Sequence, residues 1–93
     1  MNWKGIGLPF KLTIASPASK FLRKAEKNLY DRIIEKLNKL SDEPFPPDAK
    51  RVVGREEKVF RVRVGDYRIL YVVYFDENTI LVADIDKRSK AYR

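Results

Sequence analysis

Phe60-Arg61-Val62-Arg63-Val64-Gly65-Asp66-Tyr67-Arg68-Ile69-Leu70-Tyr71 is two alternating runs joined by a Gly-Asp pair. Apolar and cationic residues alternate up to Val64, and a two-residue loop that opens on glycine is a strong hairpin signal. With Gly65 and Asp66 as the loop, the register follows by counting. Val64 faces Tyr67, Arg63 faces Arg68, Val62 faces Ile69, Arg61 faces Leu70 and Phe60 faces Tyr71. One face of the hairpin is therefore Phe60, Val62, Val64, Tyr67, Ile69 and Tyr71, which reads as core. The other carries Arg61, Arg63 and Arg68, two of them directly opposed. Like charges opposite one another destabilise a sheet, so the pattern asks for an anion between them. Phosphate is the obvious candidate, because the planar arginine fork matches its oxygens.

Outward from the hairpin, residues 10–15 alternate like a short strand. Ser16-Pro17 reads as a helix start, with the hydroxyl placed to cap and proline suited to the first helical position. Ala18, Phe21, Leu22 and Ala25 then form one apolar stripe. Lys27-Asn28 interrupts it, and Asn28 is placed to cap a second helix with Asp31 near its positive end and Tyr30, Ile33, Ile34, Leu37 and Leu40 as its apolar face. A single continuous helix fits the same pattern. Pro44, Pro46 and Pro47 stop the helix and hold an extended connection to Lys50. Strands follow at about 58–64 and 67–75, a turn at Asp76-Glu77-Asn78, and a further strand over Ile80–Ile85. The predicted fold is α+β: an N-terminal strand and a helical pair packed on an antiparallel sheet of three to four strands, one domain over residues 1–93.

Composition bounds the chemistry. Ninety-three residues, 44% of them apolar, suffice for one core. The absence of cysteine and histidine removes disulfides, thiolate nucleophiles, imidazole bases and the common zinc sites. No apolar run is long enough to span a bilayer and the first residues lack a signal-peptide core, so a cytoplasmic location is expected. The net charge of +7 favours a polyanionic partner, and it is segregated. From Lys20 to Glu43 seven cations meet five anions, as on a solvated helix surface, whereas Lys50 to Arg68 has seven against three and Asp86 to Arg93 four against one. A Lys/Glu/Arg-rich thermostable surface would explain the content but not the segregation.

The excess supplies a candidate RNA-binding set beyond the three hairpin arginines: Lys50, Arg51, Arg55 and Lys58 before the hairpin, and Lys87, Lys90 and Arg93 in the tail. The tail interleaves these cations with Tyr92, a pattern that suits single-stranded RNA, where bases stack on rings and phosphates meet Arg or Lys. A solvated strand face and a frayed terminus are the bland alternatives. Tyr67, Tyr71 and Phe75 share the core parity; Tyr74 lies on the Arg68 face as a weak stacking platform. Asp84 and Asp86 can share a face and Glu56-Glu57 fall in a loop, but neither pair has the partners of a metal site, and none is expected.

Val52-Val53-Gly54, the run from Phe60 to Tyr71 with its R-x-R-x-G-x-Y-R-x-x-Y pattern, and Arg88-Ser89-Lys90-Ala91-Tyr92 together resemble the RelE/ParE superfamily of toxins from type II toxin–antitoxin systems. The order of elements is similar over almost the whole chain. The resemblance implies a RelE-like mRNA interferase that acts in the ribosomal A site without a metal or other cofactor. There the substrate's own 2′-hydroxyl attacks the adjacent phosphate, a reaction that needs charge and positioning more than a protein nucleophile. It also implies a cognate acidic antitoxin wrapped around the toxin in a hetero-oligomer. By match of motif, Arg61, Arg68 and Arg88 would clamp phosphate and stabilise the transition state, Arg63 would hold the strand or assist at the reacting hydroxyl, and Tyr92 would stack on a base or relay a proton. Arginine cannot act as a base, so the general base is left unassigned. Two alternatives share the fold: a ParE-like poison of DNA gyrase, and an inactive RNA- or antitoxin-binding module.

Overall fold

The computed structural model describes residues 9–54 and 57–87. In chain order the elements are β1 (Lys11–Ile14), α1 (Ser16–Lys24), α2 (Lys27–Asp42), β2 (Lys50–Arg51), β3 (Val59–Val64), β4 (Tyr67–Tyr74) and β5 (Thr79–Lys87), with a 3-10 turn at Phe75–Glu77 between the last two strands. The sheet order is β1-β5-β4-β3-β2. β2, β3, β4 and β5 are antiparallel in succession, and β1 lies parallel to β5. The architecture is the α+β arrangement expected, a helical pair on one face of a sheet. The sheet has five strands, one more than the upper number expected, and is mixed because β1 runs parallel to β5; two-residue β2 is too short to leave a periodic signature in the sequence.

The β3–β4 register is the one counted from the sequence, Val64↔Tyr67 through Phe60↔Tyr71. It rests on Gly65, whose φ of +58° opens a turn in which Asp66 keeps negative φ, as a hairpin turn with glycine first requires. The resulting inner face is buried as expected: Val62, Ile69 and Tyr71 are inaccessible, with Val64 nearly so, and they meet Ala18, Ile33, Leu37 and Leu40 from the helices. Burial of each such aliphatic side chain contributes roughly 1.5–3 kcal/mol, so this interface is the main source of stability.

The helix starts differ from expectation. Ala15 is the extended residue before α1, with Ser16 already helical and no side-chain cap. Glu26, not Asn28, precedes α2, and Asn28 lies in its first turn. Ala25 and Glu26 are both extended although neither is a helix breaker. Packing sets the break: α1 lies against β5, while α2 crosses to β1 and β3. Along α2 Ile33, Ile34, Leu37 and Leu40 face the core as expected, but Leu29, one turn before Ile33, takes the place expected of Tyr30, which is 41% exposed. Phe75 likewise leaves the core parity. It sits in the 3-10 turn, 57% exposed, edge-on to Phe10 at 5.7 Å and beside Phe45 at 6.0 Å.

The β1 edge is fixed from both sides. Phe10 exchanges hydrogen bonds with Ser41 at the end of α2 (N–H to the Ser41 carbonyl, 2.9 Å; Ser41 Oγ to the Phe10 carbonyl, 2.6 Å), and Asn78 Nδ2 donates to the Pro9 carbonyl at 3.0 Å. Across the sheet, Tyr71 Oη donates to the Pro44 carbonyl at 2.7 Å, tying β4 to the proline-rich connection. Burial, reinforced by the Asp48 charge, pushes this phenol well above its ordinary range and keeps it a donor.

Two outcomes follow in denaturant melts. Gly65→Ala lowers stability by about 1–2 kcal/mol, because an L side chain resists positive φ. The loss persists in an Arg32→Ala background, since the Arg32 guanidinium 2.7 Å from the added Cβ is a flexible end that can withdraw. Tyr71→Phe costs about 1–2 kcal/mol by leaving the buried Pro44 carbonyl without its donor.

Candidate functional site

The sheet face opposite the helices carries Arg61 and Arg63 from β3 and Arg68 from β4, with Arg63 and Arg68 directly opposed. An anion does stand beside them, and it belongs to the chain. Asp86 on β5 is the other cross-strand neighbour of Arg68, and its Oδ1 lies 3.4 Å from Arg68 Nε. The row across the sheet thus reads Arg63, Arg68, Asp86, and the row beneath it Arg61, Leu70, Asp84.

A β-bulge puts the two carboxylates there. Pairing runs Leu70↔Asp84 and then Tyr71↔Val82, so Ala83 is the extra residue. Strict alternation along β5 would place Val82, Asp84 and Asp86 on one face. The bulge flips the phase, so that Ile80, Val82 and Ile85 all enter the core while Asp84 and Asp86 turn to the arginine face. Asp84 Oδ1 is already occupied by the backbone N–H of Ile85 at 2.8 Å. Asp86 is therefore the carboxylate that answers Arg68.

Arg68 is held close, its side chain 11% exposed against 29% for Asp86. A single contact through Nε satisfies only part of a guanidinium's donor set. Among the described residues Asp86 is the side chain that bonds to it. Below the arginines, Val59, Leu70 and Val72 form a small buried cluster packed by Val52 and Tyr74, so Tyr74 serves here as a packing residue.

Arg63 is anchored through its backbone. Its strand-edge N–H donates to the Asp48 carboxylate, which also accepts from Lys36 Nζ on α2 at 3.1 and 3.2 Å. Burial alone would raise the Asp48 pKa; the Lys36 hydrogen bond and charge, with the Asp48 and Arg63 N–H groups, outweigh it and hold the carboxyl below its ordinary value.

Of the expected RNA-binding cations, Lys50 pairs with Arg61 and shares the arginine face. Arg51 pairs with Phe60, and Lys87 with Tyr67, so both belong to the opposite face. Lys58 is exposed just before β3. Arg55, Arg88, Lys90, Tyr92 and Arg93 lie outside the described residues. Residue counting missed Asp86 as the partner of Arg68, since its register depends on a bulge; the Ile85 that breaks the apolar alternation of Ile80 and Val82 was the available signal.

On the helix side, the α1–α2 elbow and the hairpin tip enclose a groove of about 660 Å³. Phe21 and Tyr67 meet edge-on at 5.4 Å along it, and Lys24, Glu26, Leu29 and Arg32 complete its walls.

Residues 12–92 match the family of ParE toxins of type II toxin–antitoxin systems, parDE. The chain belongs to the RelE/ParE superfamily. It is 32% identical over 89 residues to the candidate toxin RelE1 of Methanocaldococcus jannaschii, covering 92% of this chain and 98% of that one. Its fold superposes on the archaeal RelE–RelB complex from Pyrococcus horikoshii with a TM-score of 0.77 and 26% identity, over 89% of this chain and 99% of that one. The RelBE2 toxin–antitoxin complex of Mycobacterium tuberculosis gives 0.76 at 24% identity, over 89% and 95% of the respective chains. The chain is thus a RelE-like toxin of a type II toxin–antitoxin system.

The Asp48 contacts predict an acid limb in the stability of this toxin. A carboxyl whose folded pKa is depressed stabilises the fold above its unfolded value, about 3.9, and loses that contribution as pH falls through the folded value. Asp48→Asn therefore flattens the stability profile below about pH 4, read by thermal melts across pH, and leaves its shape near neutrality unchanged.

Proposed function

We propose that this RelE-like toxin is a metal-independent, ribosome-dependent endoribonuclease that cuts mRNA. The observation that carries the reading is the row of Arg63 against Arg68, with Arg61 and Lys50 on the same face. Such an array fits a phosphoryl group, whose negative charge would relieve the opposed cations. In the reaction the 2′-hydroxyl oxygen of the RNA forms a bond to the adjacent phosphorus, the bond to the 5′-oxygen of the next nucleotide breaks, and a 2′,3′-cyclic phosphate remains. The 2′-hydroxyl gives up its proton and the leaving oxygen takes one up. Arg61, Arg63 and Arg68 supply preorganised positive charge for the developing phosphorane, with Arg88 and Tyr92 assigned to the same centre by their match to the family motif. Lys50, Lys58 and the tail cations would extend the RNA track.

The helix-side groove supports an antitoxin partner, the RelB-type chain that accompanies the structural relatives. Its aromatic floor and Lys24 and Arg32 rim suit an acidic segment that folds on binding. A single domain working in the cytoplasm completes the reading.

The ParE description of the matched family favours a second reading, a gyrase poison in which the arginine face has no catalytic duty. Mapping mRNA 5′ ends on translating ribosomes separates the two. Codon-positioned cuts are expected with the wild type, falling at least about a hundredfold in Arg68→Ala and in Arg88→Ala. Growth arrest with gyrase-dependent DNA breaks and no RNA cuts would establish the second reading.

A further inference from the structure

We infer that Asp86 is a positioning residue for Arg68, holding the guanidinium by Nε so that its two terminal nitrogens present a fixed fork on the arginine face. The inference rests on the nuclease reading for its effect on rate, and on the geometry alone for its effect on Arg68. Three observations carry it. Asp86 and Arg68 are direct cross-strand neighbours, so a short side chain reaches the Nε end, not the tip, of the guanidinium. The β-bulge at Ala83 is what turns Asp86 to this face at all. Arg68 also stands directly opposite Arg63 in the register of the hairpin, a like-charge placement that an adjacent carboxylate offsets.

Asp86 is not assigned as the base. Its carboxylate is engaged by the Arg68 guanidinium, and no contact places it at a reacting hydroxyl. Its contribution is orientation of a charge whose value depends on where it sits when the phosphorane forms. This gives a signature that loss of structure does not. Asp86 is a negative charge beside a phosphate site, so removing it strengthens RNA binding while loosening Arg68: KM falls or holds, and kcat falls.

The test uses the full-length toxin in two measurements. First, the Arg68 Nε–H signal is followed by ¹H–¹⁵N NMR in wild type, Asp86→Asn, Asp86→Ala and Asp86→Glu, with thermal melts confirming that each variant folds. An ordered, slowly exchanging signal is expected in wild type, lost in Asp86→Ala, weakened in Asp86→Asn and partly restored in Asp86→Glu. A mobile wild-type Nε–H overturns the inference whatever the activity. Second, single-codon cleavage on programmed ribosomes is measured for Asp86→Asn, Arg68→Ala and the double variant. Asp86→Asn is expected to lower kcat about ten- to a hundredfold without raising KM, and to add nothing in the Arg68→Ala background. Full activity in Asp86→Asn, or losses that add, overturns the positioning role. An ordered Nε–H in a toxin that cuts no RNA would sink the nuclease reading and leave Asp86 as the holder of Arg68.

Discussion

The turn at Gly65 is the constraint on which the rest of the molecule depends. Side chains alternate along a strand, so a slip of one residue at this hairpin would drive Arg61 and Arg63 under the helices and expose Val62 and Val64. The positive φ at Gly65 fixes the register within two residues, and everything on either face follows from it. The helices pack where they do because one face of β3 and β4 is apolar. The arginines stand together because the other face is not.

The second constraint is the bulge in β5, and it has the opposite character. The hairpin obeys alternation; the bulge breaks it once, at Ala83, and thereby reconciles two demands on one strand. Ile80, Val82 and Ile85 must all reach the core, and Asp86 must reach Arg68. No unbroken strand with this sequence does both. The face that results is graded across the sheet, cationic on β2, β3 and β4 and anionic on β5, so a bound phosphate is expected toward the β3 side of Arg68.

How much of this was legible in the sequence depends on how local the cause is. The hairpin register needed only Gly65 and strict alternation, and it was read residue for residue. The buried stripes of the helices were readable from period alone, apart from Tyr30, whose place Leu29 takes. The break at Ala25-Glu26, with no glycine or proline to announce it, is imposed by packing of α1 against β5 and of α2 against β1 and β3. Pairings that join distant segments were out of reach for the same reason: β1 beside β5, Asp48 with Lys36 and the Arg63 amide, and Asp86 with Arg68 all depend on tertiary placement. The arginine face was legible as a set of cations but not as a balanced site.

That balance bears on how the proposed chemistry would run. Arginine at both paired positions of β3 supplies charge without a proton acceptor, and the carboxylate nearest Arg68 is engaged by it. In the proposed reaction the described part of the face would stabilise a phosphorane and be poorly equipped to deprotonate a 2′-hydroxyl. A catalyst of that kind gains most when something else bends the RNA so that the 2′-oxygen, phosphorus and leaving oxygen are in line, since orientation can replace part of what a strong base would contribute. A decoding ribosome holds a codon in a defined conformation; free RNA does not. Under the proposed function, dependence on the ribosome would then follow from the residue types at positions 61, 63, 68 and 86, and it would bring with it protection from indiscriminate cleavage of other RNA.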